Sequence, residues 1–115
     1  MSLVYIWTGV TKQKGYMKKT ICIDFDGMIS MSGLPMADAK HGIASLILNG
    51  YDVVILTANK VTYVHDFLRE HFPVFAPYLK DGSLRVTNTK PPAIAYVDDK
   101  AVPFTNWLDL IRRFR

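Results

Sequence analysis

The stretch Ile21-Cys22-Ile23-Asp24-Phe25-Asp26-Gly27 decides the fold. Its apolar half reads as a strand buried on both faces, and its two carboxylates mark where that strand leaves the core. A second stretch, Ala95-Tyr96-Val97-Asp98-Asp99, ends in the same way. Parallel strands of one sheet would bring all four carboxylates to one edge. At ~4 Å and an effective dielectric near ~20, each like-charged pair would repel by about 4 kcal/mol. A bound Mg²⁺ would offset that repulsion, because hard cations prefer oxygen ligands. The pattern points to metal-assisted phosphate chemistry.

Outward from this stretch, strand and helix signals alternate. Residues 20–24 form the first strand, and a loop rich in Met, Ser, Gly and Pro follows from Gly27 to Met36. Asp38 is placed to cap a helix with Ile43, Leu46 and Ile47 on one face, stopped by Asn49-Gly50. Residues 52–57 form the second strand, whose run Val53-Val54-Ile55-Leu56 suits burial on both faces. Asn59 is placed to cap a second helix with Val61, Val64 and Leu68 inside, ended before Pro73. Residues 73–83 read as irregular, because Pro73, Pro77 and Asp81-Gly82 punctuate them. A short strand at 84–87, another central strand at 93–97 and an amphipathic helix at 105–114 complete the pattern. The expectation is an α/β fold with a mostly parallel sheet and helices on its faces. Sites in such sheets lie at the carboxyl ends of strands, where the aspartates stand.

Ahead of this lies a segment that does not match. Val4-Tyr5-Ile6-Trp7 is β-prone, and residues 8–15 are polar with two glycines. Residues 1–16 read as an N-terminal extension or an added edge strand, and 17–115 as the domain proper, opening on Met17-Lys18-Lys19-Thr20.

At 115 residues the chain is expected to be one domain with a single core and no large cap domain. Half of its residues are hydrophobic and 21% are charged, which is ordinary globular composition. The formal charge of +4 is modest: it fits an anionic substrate, but a mildly basic soluble domain accounts for it better. The basic groups at Lys12, Lys14, Lys18 and Lys19 and at Arg112, Arg113 and Arg115 lack the interleaved aromatics of a nucleic-acid surface. Cys22 is the only cysteine, which excludes an internal disulfide and reads as a small core residue. No apolar run approaches the ~18 residues of a membrane span, and no signal peptide is evident. The expected location is cytoplasmic, with no membrane partner.

In chain order the polar residues at strand ends are Asp24 and Asp26, Thr57, Lys90, then Asp98 and Asp99. One carboxylate can attack phosphorus, and a second, two residues on, can protonate the leaving oxygen and then activate water. A hydroxyl and a lysine can hold the non-bridging oxygens. This series resembles the four motifs of the haloacid dehalogenase (HAD) superfamily of phosphatases. Ile23-Asp24-Phe25-Asp26-Gly27 is similar to its first motif, Ile55-Leu56-Thr57 to its second, Lys90 to its third and Tyr96-Val97-Asp98-Asp99 to its fourth. Lys90-Pro91-Pro92-Ala93 resembles in particular the small, capless members.

The resemblance implies a three-layer Rossmann-like sandwich and a Mg²⁺-dependent phosphomonoester phosphatase working through an aspartyl-phosphate. It makes Asp24 the nucleophile, Asp26 the general acid and base, and Thr57 and Lys90 the phosphate-binding residues. It assigns Mg²⁺ to Asp24, the backbone carbonyl of Asp26, and Asp98, with Asp99 helping directly or through water. The implied substrate is a phosphorylated small molecule or the end of a nucleotide or oligonucleotide. With no cap, the site is expected to be open or covered by a short flap at 28–36. Met28 departs from the family's usual Thr or Val, and a thioether does not reproduce the hydrogen bonding of a hydroxyl.

A receiver domain also groups Asp, Thr and Lys at a sheet edge, but its acid pair comes early and its lysine late. Here Lys90 precedes the final acid pair. The alternative from another class is a catalytically weak or silent HAD-like module that binds an anion or a protein partner, for which Met28 is the best argument. His41, His65 and His71 lack ligand spacing and read as surface or packing residues.

Overall fold

The computed structural model describes residues 3–13, 16–89 and 102–114. Lys90, Asp98, Asp99 and the expected strand at 93–97 lie outside the described residues. In chain order the elements are β1 (Leu3–Gln13), β2 (Tyr16–Asp24), β3 (Ser30–Met31), β4 (Leu34–Pro35), α1 (Ala39–Leu48), β5 (Tyr51–Leu56) and α2 (Val61–His71). A 3₁₀ turn (Pro73–Phe75), α3 (Ala76–Asp81), β6 (Leu84–Thr87), β7 (Val102–Pro103) and α4 (Trp107–Arg113) follow.

Five strands make one sheet in the order β6-β5-β2-β1-β7, and β3 and β4 form a separate hairpin. β2 pairs in parallel with β5, from Lys19↔Tyr51 to Asp24↔Leu56, and β5 pairs in parallel with β6. This is the α/β core expected from the alternation. The N-terminal segment is part of the same sheet: β1 runs antiparallel to β2 from Val4↔Ile23 to Gln13↔Tyr16, with a register shift between Trp7 and Val10. A bulge that spans Gly9 fits the residue's tolerance of irregular backbone. β2 accordingly begins at Tyr16, four residues before the expected start. β1 is not an edge, because β7 pairs with it through Leu3↔Pro103 and Val4↔Val102. Among the described residues the sheet is therefore mixed: β1 runs against the three parallel strands, and β7, antiparallel to β1, runs with them.

Residues of β2, β5 and β6 alternate between two faces. Ile21, Ile23, Val53, Ile55 and Leu84 meet the apolar sides of α1, α2 and α4 in one cluster. The steps β2 to β5 to β6 go in one direction, and right-handed crossovers then place α1 and α2 on one face. The opposite face contributes Cys22 and Val54, flanked by Leu56. Among the described residues there are two layers, the sheet and one helical layer. The second helical layer implied by the resemblance is not among them. No helix among the described residues is long and apolar enough to cross a membrane.

Two local readings need correction. Residues 73–83 are not irregular: they hold the 3₁₀ turn and α3. Pro73 and Pro77 both sit in the first two positions of these helices, where a missing N–H breaks no helical bond. Gly82 closes α3 at φ 85°, the left-handed conformation that suits glycine. The caps also differ. Asp38 stands at the N-cap of α1 with φ 65° and makes no capping side-chain bond. Lys60, not Asn59, is the N-cap of α2.

α4 locks onto the core through Trp107, which is 2% exposed. Its ring lies so close to α1 that a Cβ on Gly42 would stand 2.1 Å from Cε3. Only glycine permits that approach.

Candidate functional site

The parallel register sets the site. Asp24 is level with Leu56, and Leu56 with Thr87, so β2, β5 and β6 end along one edge. There a cleft of about 420 Å³ is lined by Asp24, Phe25, Asp26, Leu56, Thr57, Ala58 and Asn88. Asp24 is half-buried and Asp26 exposed, an arrangement of one shielded and one solvent-facing carboxylate two residues apart.

The chain after β2 is fixed by burial and by backbone bonds. Phe25 is 1% exposed and packs edge-on against Phe67 and Tyr63, with centroids 5.0 and 6.1 Å away. The Phe25 N–H donates to Leu56 O at 2.9 Å, and Phe25 O accepts from Ile29 N–H and Ser30 N–H. Gly27 N–H donates to Ser30 O at 2.8 Å. The Trp107 indole donates to Met28 O, also at 2.8 Å. Met28 and Ile29 are fully buried. Residues 28–30 are thus not a flap but part of the core. The hairpin beyond them exposes Met31 and Leu34 and turns through Ser32 and Gly33 at φ 53° and 82°, both positive as in a type I′ turn. Met28 supports this loop by packing, and its carbonyl is held by the Trp107 indole.

Beyond β5 the chain makes a tight side-chain turn. Thr57 is 3% exposed, and its N–H donates to Thr87 O at 3.0 Å. Its Oγ1 accepts the N–H of Asn59 at 2.9 Å, and among the described residues the hydroxyl donates to no acceptor. Beyond β6 the same turn recurs: Thr87 Oγ1 accepts the N–H of Thr89 at 3.1 Å. There the hydroxyl also donates, to Thr89 O at 2.9 Å. The middle residues of the two turns, Ala58 and Asn88, both face the cleft.

Of the expected site residues, Asp24, Asp26 and Thr57 line one cleft, while Lys90, Asp98 and Asp99 lie outside the described residues. Both edges of β2 are taken, by β5 and β1. The neighbour of β2 on the side away from β5 is the N-terminal strand and not one leading to Asp98-Asp99. Two residues were not foreseen. Asn88 follows a short strand with no distinguishing pattern. Asn59 reads in sequence as a helix cap, but its Nδ2 donates to Asp26 Oδ2 at 3.5 Å.

Among the described residues no group of three or more His, Cys, Asp or Glu side chains is placed to hold a metal. The Asp24 carboxylate and the Asp26 backbone carbonyl still suit Mg²⁺, which is bound by one or two carboxylates with other oxygens completing its octahedron. Compared with models of protein families, with curated proteins and with solved structures, the chain finds no match.

Proposed function

We propose that this chain is a Mg²⁺-dependent phosphomonoester hydrolase that passes its phosphoryl group through Asp24. One observation carries this reading: Asp24, Asp26 and Thr57, whose hydroxyl proton no described residue accepts, share one cleft at the carboxyl edge of parallel strands. Asp24 attacks phosphorus, its oxygen bonds to it, and the ester P–O bond breaks. Asp26 gives its proton to the leaving oxygen. Water then attacks the aspartyl-phosphate, its proton returns to Asp26, and inorganic phosphate leaves. Thr57 donates its hydroxyl proton to a non-bridging oxygen as charge builds there. Lys90 would supply a cation to the same oxygens. Asp24 and the Asp26 carbonyl, with Asp98 and Asp99, would hold Mg²⁺, which neutralises phosphate charge when bound. The substrate class is a phosphorylated small molecule or the end of a nucleotide or oligonucleotide, handled in the cytoplasm.

The test is Asp24→Asn, assayed for phosphate release from a generic aryl phosphate with Mg²⁺. Loss of turnover is expected; activity equal to that of the parent would reject the nucleophile.

A second reading has its own observation. With both edges of β2 occupied, the strand beside Asp24 on the side away from β5 is the N-terminal one. A HAD-like module that binds an anion or a partner without turnover fits that arrangement. Calorimetric Mg²⁺ binding with no turnover across a panel of phosphate esters would favour it.

A further inference from the structure

Asn59 ties the two halves of the cleft together. Its backbone N–H donates to Thr57 Oγ1 at 2.9 Å, and its side-chain Nδ2 donates to Asp26 Oδ2 at 3.5 Å. The sequence separation from Asp26 is 33 residues, so the second contact is tertiary and no by-product of a local turn. The amide is not spent on the helix, since Lys60 is the N-cap of α2 and no side chain caps that end. Asn59 and Asp26 are both exposed, so water competes for each group and the contact adds little to stability. Its effect is directional. An exposed carboxylate samples several rotamers even on a well-held backbone, and a donor from the neighbouring loop selects among them. The separation is long for a hydrogen bond, as catalytic contacts often are before substrate binds and tightens them.

We infer that Asn59 is a positioning residue: anchored on Thr57, it holds the Asp26 carboxylate in the orientation that serves the leaving oxygen. This rests on the hydrolase reading, in which Asp26 is the acid and base. The anchor matters because Thr57 is buried and bonded to β6. Asn59 thus passes the rigidity of the sheet to a carboxylate that lies beyond the end of its own strand. It also uses a lone pair of the Thr57 hydroxyl, which leaves that group to act as a donor toward the cleft.

Asn59→Asp is the decisive variant. Aspartate forms the same turns as asparagine, but it replaces the amide donor with a second carboxylate facing Asp26. A residue that only shaped the turn would tolerate it. With Mg²⁺ saturating, kcat should fall on the order of tenfold in Asn59→Ala and on the order of a hundredfold in Asn59→Asp. KM and melting temperature should stay near those of the parent. A parental kcat in Asn59→Asp would overturn the role. A second measurement does not depend on turnover. In ¹⁵N-labelled protein the Asn59 side-chain amide resonances should move on Asp26→Ala; resonances that stay in place overturn the contact, even in an active enzyme. A parent chain inert on every ester, whose Asn59 resonances nevertheless respond, would overturn the hydrolase reading and the catalytic role with it.

Discussion

The loops that follow β2 and β5 reach the same cleft but are held by different forces. The first is set in the core: Phe25, Met28, Ile29 and Ser30 are all buried, and Trp107 on the last helix grips the Met28 carbonyl. The second leaves the core at once: Ala58, Asn59 and Lys60 are exposed, and the buried Thr57 hydroxyl turns them through its bond with the Asn59 N–H. The carboxylates thus stand on a support that is inseparable from global stability. The hydroxyl stands on a support that one side chain can alter. Changes near the first loop should act through folding, and changes near the second through binding and turnover.

Trp107→Ala should give the largest effect. It empties a buried indole site and leaves the Met28 carbonyl without its donor, at a cost of about 3–5 kcal/mol. Domains of this size are stable by only ~5–15 kcal/mol, so the variant could lose its fold outright. Trp107→Phe keeps most of the volume and removes the hydrogen bond, for about 1–2 kcal/mol. Urea unfolding followed by far-ultraviolet circular dichroism measures both. A Trp107→Phe protein as stable as the parent would show that packing alone anchors the first loop.

The same contrast explains what was legible in the sequence. Strands β2 and β5 were readable because continuous apolar runs end in polar residues, β6 only as a short alternating stretch, and the helices α1, α2 and α4 because their apolar periods are clear. The placement of β1 was not readable, because strand pairing is non-local and Val4-Tyr5-Ile6-Trp7 carries no mark of its partner. α3 was masked by prolines that read as breakers but sit where a helix starts. In the site, Asp24, Asp26 and Thr57 announce themselves by standing at strand ends. Asn59 does not, because an asparagine before an apolar helix is the ordinary signal of a cap. Its contact with Asp26 depends on how two loops meet, which no local pattern encodes. At Met28 the motif speaks of hydrogen bonding and the structure adds what the motif does not: the side chain fills a core position.

Thr57→Val should have a smaller effect on stability and a specific one on function. The buried hydroxyl is replaced by a methyl of similar size, and the part-buried Asn59 N–H loses its acceptor, so the cost should be about 1 kcal/mol. On the hydrolase reading turnover should fall on the order of tenfold or more, because that reading gives Thr57 the role of donor to the phosphate oxygens. Thr57→Ser, which keeps the hydroxyl, should restore most of it. Steady-state kinetics on one aryl phosphate for the three proteins decides the matter. Equal turnover in Thr57→Val and its parent would mean that the hydroxyl faces no substrate oxygen.

Thr87→Val sharpens the comparison because it should do almost nothing. Thr57 and Thr87 end neighbouring parallel strands, and each accepts the N–H two residues on. They differ in where the hydroxyl proton goes. Thr87 gives its proton to Thr89 O at 2.9 Å, so both functions of that hydroxyl close on its own turn, and the bonds are exposed enough for water to replace them. Its loss should cost no more than about 0.5 kcal/mol, with turnover within about twofold of the parent, since no stabilising contact to the reacting group is removed. If Thr87→Val instead lowered turnover as far as Thr57→Val, proton commitment would not distinguish the two turns. Activity would then depend on the shape of the sheet edge as a whole, and Thr57 would lose its separate claim to a phosphate oxygen.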